Sequence, residues 1–380
     1  MENTTTDVDY FHNSTEDSFI TTELPTTTPK SPYPPGYFVI PAEHLIIFRL
    51  AIYTIITPVT VLIGLVGNGI SFVVLLRNKM RGTTKMILLS ITACDFLHLI
   101  GTTLSSLVGL TISLDYKPGV DILRKAFPYF YFQIFVFGDI SNVLIVVISL
   151  ERLCAVILPL KVKSLWSKKT MGISIFICSL LAIVLLIPSS LEYIPAVLST
   201  NSSTQASTSL TLTEFGKKHR EFYAALNGVR MSLIRFIPVI VVTISTIAIS
   251  VGLYRAKSSR SMMTDQNHDE SSAEQRITQT LLGLTLLYFF CMTPGAFVIF
   301  ISSFSFGSNL LYTRTNVYTL VGILTNWLAV LNSSVNFIVY IVSNQQMRGE
   351  FKRVISCCLI KKRPNRKNTS VTCTSDTNTS

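Results

Sequence analysis

Glu151 and Arg152 stand side by side where a long apolar stretch gives out, in the run Leu150-Glu151-Arg152-Leu153-Cys154. Asp95, Asp139 and Arg235 also fall inside apolar stretches. A charged side chain in a bilayer costs about 2.5–3.5 kcal/mol on insertion scales, so such groups face a partner, water or a working site. No metal-ligand spacing, nucleophile elbow or phosphate loop occurs, so an enzyme is not expected. His98, three residues after Asp95, has no nearby His or Cys array and reads as a packed polar residue rather than a metal ligand.

The elements that must hold these charges are membrane helices. Apolar stretches near 46–76, 86–113, 128–158, 171–193, 229–254, 277–306 and 316–342 each meet the ~20 residues needed to cross the hydrocarbon. Only 14% of the 380 residues are charged, against about 25% in soluble domains, and mean hydropathy is +0.48. The expected fold is an all-α integral membrane protein, a seven-helix bundle. The fifth span is weakest at its start, where Arg230 and Arg235 interrupt it.

The net charge of +11 does not point to nucleic acid, because the basic residues flank the apolar runs. The segments 77–85, 159–170, 255–276 and the tail after 342, with Arg152, hold 21 of the 32 Lys and Arg. That side is expected to be cytoplasmic. Residues 1–44, Thr-, Pro- and acid-rich with one Lys and seven acids, then form a disordered arm outside. The N-terminus lacks a signal-peptide pattern, so the first span is expected to serve as the insertion signal.

Sequons at Asn3, Asn13 and Asn201 fall on the outer side, where glycosylation is possible. Those at Asn332, Asn368 and Asn378 fall in membrane or cytosol and should be inert. None of the seven cysteines lies in a segment placed outside, so no extracellular disulfide is expected. Residues 344–360 read as an amphipathic helix ending in Cys357-Cys358, which suits the inner membrane surface with both cysteines as acylation candidates. Residues 361–380 read as a disordered tail whose Ser/Thr-rich end, from Thr369, is a phosphorylation candidate.

Motifs follow in order along about 300 residues: Gly67-Asn68, Asp95, Glu151-Arg152-Leu153, Pro238, Cys291-Met292-Thr293-Pro294, Asn332-Ser333 and Asn336-Phe337-Ile338-Val339-Tyr340. Together they resemble the rhodopsin-like family of G-protein-coupled receptors, as a divergent member most similar to invertebrate-type neuropeptide receptors. Met292 stands where the family usually has Trp, Phe337 replaces a Pro and Leu153 a Tyr. The family's outer disulfide and fourth-helix Trp are missing. Pro238 and Pro294 are expected to kink the fifth and sixth helices.

The resemblance implies roles. Asp95 would join Asn68, Ser141, Asn332 and Asn336 around a sodium ion; the alternative is an interhelical polar knot without an ion. Arg152 would pair with Glu274 at the inner end of the sixth helix, and outward movement of that helix would break the contact. Glu151, Met292, Pro294, Asn336 and Tyr340 complete the implied switch. Asp139 and Arg235 would point to the contact between third and fifth helices, as a buried pair or divided to meet a charged ligand. With Phe130, Ile134 and Met292 they are the pocket candidates.

Ile134 stands where receptors for biogenic amines carry Asp, and 316–342 contains no Lys for retinal. A peptide is therefore the favoured ligand, the arm and the second outer loop being long and polar; a chemosensory ligand is the alternative. The expected partners are an extracellular peptide or small molecule, a heterotrimeric G protein, arrestin, receptor kinases and membrane lipid at the plasma membrane. A transporter or channel is disfavoured because neither an internal repeat nor paired unwound segments occur.

Overall fold

The computed structural model describes residues 41–77, 82–114, 116–158, 161–198, 207–260, 281–297, 316–343 and 345–360. These belong to one compact unit, Ile40–Ser380. Residues 1–40 of the arm, Glu274 and the sequons at Asn3, Asn13 and Asn201 lie outside the described residues, whereas Ala42–His44 of the expected arm are helical.

Seven spans build the unit. The first runs through Ala42–Leu50, a π turn Ala51–Ile56 and Thr57–Arg77. The second is Gly82–Leu114, the third Tyr116–Ile157 and the fourth Lys168–Ser190. The fifth runs through Arg220–Met231, a π turn Ser232–Phe236 and Ile237–Arg260. The sixth is described over Leu281–Phe297, and the seventh is Asn316–Ser343. Among the described residues, six helices are long and apolar enough to cross a membrane, and Leu281–Phe297 is a shorter apolar one.

Both π turns end two residues before a proline, Pro58 and Pro238. Proline has no N–H to donate and its ring crowds the carbonyl four residues earlier. A wider turn upstream accommodates that missing bond, and it changes which faces the flanking side chains share. The expected kink of the fifth helix is thus accompanied by a π turn.

Polarity is reversed relative to a water-soluble protein. Leu62, Val66, Phe176, Ile177, Val184, Ile244 and Phe290 are exposed, while Asn68, Asp95, Asp139, Ser141, Glu151 and Asn336 are buried. An apolar exterior around an interior that gathers the polar groups is what lipid demands. The core joins Leu75, Leu88, Leu144, Ile148, Val242, Leu284, Tyr288, Met292 and Tyr340 from six spans.

One departure from an all-helical chain stands between the fourth and fifth spans. Strand β1, Tyr193–Leu198, pairs antiparallel with β2, Ser207–Leu212, from Tyr193 opposite Leu212 to Leu198 opposite Ser207. The hairpin base is tied down without a disulfide: Thr213 N donates to the Glu192 carbonyl at 2.9 Å, and Asn227 Nδ2 donates to Glu192 Oε2 at 2.9 Å. The fifth helix therefore starts at Arg220 rather than near 229, as its apolar pattern suggested.

After the seventh span, Gln345–Ile360 forms a helix carrying Cys357 and Cys358. Phe351 and Val354 are buried against the bundle while Lys352 and Arg353 are exposed. Arg348 donates from Nε to the Ile341 carbonyl at 3.2 Å and from Nη2 to the Val342 carbonyl at 3.3 Å, capping orphan acceptors at the end of the seventh span.

Candidate functional site

The buried polar groups fall into three clusters stacked along the third span. Near its end, Glu151 and Arg152 form the first. Arg152 Nη2 donates to Thr84 Oγ1 of the second span and lies 3.1 Å from Glu151 Oε2. Thr83 and Thr84 donate to Glu151 Oε1 at 3.2 and 3.4 Å. Thr83 and Thr84 were not expected; a hydroxyl pair at the head of the second span carries no sequence signal until the helices are packed.

Arg152 also edges a narrow crevice lined by Ile148, Ser149, Ile249, Leu281, Leu282 and Thr285. Thr246 Oγ1 of the fifth span donates to Thr285 Oγ1 of the sixth at 3.1 Å across it. The fifth and sixth spans therefore meet beside a guanidinium that is held to the second span. A hydrogen bond to a charged group is worth about 1.5–3 kcal/mol. Thr84→Val should therefore shift a closed-to-open equilibrium by roughly tenfold or more, read as raised basal nucleotide exchange on a G protein in membranes. Unchanged basal exchange would count against Thr84 as a restraint.

The middle cluster centres on Asp95, which is fully buried. Ser141 Oγ donates to its Oδ1 at 2.8 Å and Asn336 Nδ2 to its Oδ2 at 2.6 Å, tying second, third and seventh spans. Asn68 Nδ2 donates to the Ser333 carbonyl at 2.7 Å, adding the first span. Among the described residues Asp95 is in no ion pair. The Asn68 and Asn332 Oδ1 atoms are buried without a donor. Buried oxygen acceptors on the spans that meet a carboxylate without an ion-pair partner fit a hard cation. All five residues read from the sequence for this cluster are buried at the facing of these spans.

Tyr340 and Met292 are buried in the core, whereas Pro294 is exposed on the sixth span. Gly67 is explained by the Phe337 ring: a Cβ on Gly67 would stand 2.2 Å from Phe337 Cδ1. The bulky residue that replaces the expected Pro is thus received by a glycine on the first span.

The third cluster corrects the pairing expected for Asp139. Its partner is Arg230, not Arg235: Arg230 Nε and Nη2 donate to Asp139 Oδ2 at 3.0 and 2.8 Å, with both side chains buried. The Arg230 guanidinium also lies 5.4 Å from the Phe135 ring centroid, a cation–π contact. In a regular α-helix, residues five apart would point about 140° away from each other; the π turn at Ser232–Phe236 changes that phase. Arg230 was visible in the sequence only as an interruption of an apolar run.

His98 Nδ1–H donates to the Ile134 carbonyl at 2.7 Å. Gly138 permits the approach, since a Cβ there would stand 3.2 Å from that nitrogen. The Ile134 side chain lies on Gly101 of the second span, and Phe130 is half-buried one turn away. Ile134 therefore packs between spans instead of meeting the Asp139 cluster.

A helical bundle with an apolar exterior and buried polar clusters has the construction of an integral membrane protein. Residues 67–340 match the sequence model of the 7 transmembrane receptor (rhodopsin family). The chain belongs to that family: it is a multi-pass G-protein-coupled receptor and not an enzyme. It is 22% identical to the substance-P receptor of Homo sapiens over 326 residues, covering 85% of this chain and 74% of that one. It is 23% identical to the galanin receptor 2b of Danio rerio over 322 residues, covering 83% and 78%. The melatonin receptor type 1C of Gallus gallus is 22% identical over 305 residues, covering 78% and 80%.

Proposed function

We propose that the chain is a plasma-membrane receptor for an extracellular peptide, with its N-terminus outside and its C-terminus in the cytoplasm. Ligand binding near the Asp139 cluster would release the Arg152 end of the bundle to a heterotrimeric G protein. The observation that carries this reading is the held state of Arg152, bonded to Thr84 and Glu151 beside a crevice closed by the fifth and sixth spans. A restraint of this kind has two arrangements, as a switch requires. Glu274 would add a carboxylate to it from the start of the sixth helix.

The peptide class is supported by similarity to receptors named for substance P and galanin, and by the long polar second loop. The relative named for melatonin supports a small molecule as the second reading. Asp95, Ser141, Asn68 and Asn332 are the oxygen donors that would hold a sodium ion, with Asn336 orienting the carboxylate. Such an ion would supply the charge that offsets Asp95. Lys161, Lys163, Lys168, Lys169, Arg255 and Lys257 would meet the G protein and anionic lipid. Cys357 and Cys358 would be acylated, and the Ser/Thr tail would be phosphorylated for arrestin.

The test is nucleotide exchange in membranes holding the receptor and a panel of G proteins, challenged with peptide and small-molecule libraries. Exchange stimulated by a peptide in the wild type and lost in Arg152→Ala is the expected result. Stimulation by small molecules alone would replace the peptide class with the second reading, and solute flux without exchange would overturn the receptor reading.

A further inference from the structure

The contact of third, fifth and sixth spans holds more positive than negative charge. Asp139 supplies one carboxylate, and Arg230 has taken it at 2.8 Å. Arg235, five residues on, is in none of the ion pairs among the described residues, and its buried Nε donates to nothing. The fully buried Tyr288 of the sixth span has a hydroxyl without a hydrogen-bond partner, within electrostatic reach of both Arg235 and Asp139. His98 is also within reach of Arg235, but its Nδ1–H is committed to Ile134.

Two unspent donors, one of them cationic, therefore lie within electrostatic reach of each other. Arg235 is half-buried, and a guanidinium inside a membrane span without a counter-charge is costly. An anion there would gain charge-assisted hydrogen bonds, and a planar carboxylate matches the two-pronged face of a guanidinium. Arg235 also sits within the π turn Ser232–Phe236, and such irregular turns recur at functional sites.

We propose that Arg235, assisted by Tyr288, binds an anionic group of the receptor's ligand, the carboxylate of an acidic side chain or of a peptide C-terminus. This assignment rests on the reading that the ligand enters beside the Asp139 cluster. Arg230 is excluded from that role because its charge is already met within the bundle. A buried water bridging Arg235, Tyr288 and His98 is the competing occupant.

The probe is a small carboxylate, with the purified full-length receptor in lipid nanodiscs. At fixed pH and ionic strength, sodium isethionate is exchanged stepwise for sodium formate or acetate, and in a separate arm for sodium chloride. The expected result is a saturable rise of about 2–4 °C in the unfolding midpoint with formate or acetate. That rise should vanish in Arg235→Gln, weaken in Tyr288→Phe and Arg235→Lys, and persist in Arg152→Gln.

No saturable rise in the wild type, or a response to chloride alone, would overturn the proposal. So would an undiminished rise in Arg235→Gln. If Arg235→Gln does not fold, Tyr288→Phe decides: its half-saturating concentration should rise at least threefold, and an unchanged value rejects the site. A receptor that answers a peptide in nucleotide exchange yet ignores carboxylates would remain a peptide receptor and lose this site. Carboxylate binding without any ligand-stimulated exchange would keep the site and sink the receptor reading.

Discussion

Arg230→Gln should remove most of the folded receptor from the cell surface. The substitution strands Asp139, whose Oδ2 otherwise receives both guanidinium donors and whose side chain is 2% exposed. Breaking a buried pair by removing one partner costs about 3–5 kcal/mol, a large part of the 5–15 kcal/mol that holds a typical domain together. Asp139→Asn should do similar damage by stranding Arg230. The double change, Asp139→Asn with Arg230→Gln, should recover much of the loss, because no unpaired charge is left. Arg235→Gln, measured beside them, should cost far less. Surface labelling of these four variants and of a fifth, Asp139→Asn with Arg235→Gln, distinguishes the pairs: additive losses for Asp139 and Arg230, or coupling of Asp139 with Arg235 instead, would reject the assignment.

Gly67→Val should come next in severity. Even the first atom of a side chain there would stand 2.2 Å from Phe337 Cδ1 and 2.5 Å from Cγ. The Cγ contact lies near the ring's attachment, so a small swing of the ring cannot relieve it. Overpacking of this kind costs about 1–3 kcal/mol and occasionally more, and Val should reach the upper part of that range. The first and seventh spans also meet through Trp327 Nε1 donating to Thr60 Oγ1 at 3.3 Å, so any separation strains a second contact. Gly67→Val with Phe337→Ala should restore the thermal midpoint of purified receptor toward the wild type. Failure of that rescue would place the damage elsewhere, with the neighbouring Asn68 the first suspect.

These two sites show how far reading the chain residue by residue can reach. The exchange of Pro for Phe337 was legible as a departure from the family's pattern, but its compensation was not. Gly67 carries no mark identifying which ring will fill its place. Asp139 was legible as a costly charge in need of a partner, and the wrong arginine was the natural choice. Arg235 stands nearer the middle of the apolar run, whereas Arg230 lies at its edge, ahead of a π turn that changes the helix phase.

The Asp95 cluster was legible through the family resemblance, which named its members, each within an apolar span where an unbonded polar group is expensive. The partner of Arg152 was less so. The expected acid, Glu274, lies outside the described residues, and the observed restraints are Thr84 and Glu151.

The family resemblance named the cluster around Asp95, and the order of residues along the chain determined the spans and the charges inside them. Those follow from hydrophobic length and from the penalty on isolated polarity, which act locally and need no knowledge of neighbours. Tertiary packing alone decided that Asp139 meets Arg230, that Thr84 holds Arg152 and that Gly67 receives Phe337. Each depends on helix phase, on a π turn that rotates one face past another, and on contacts between residues as many as 270 apart in the chain.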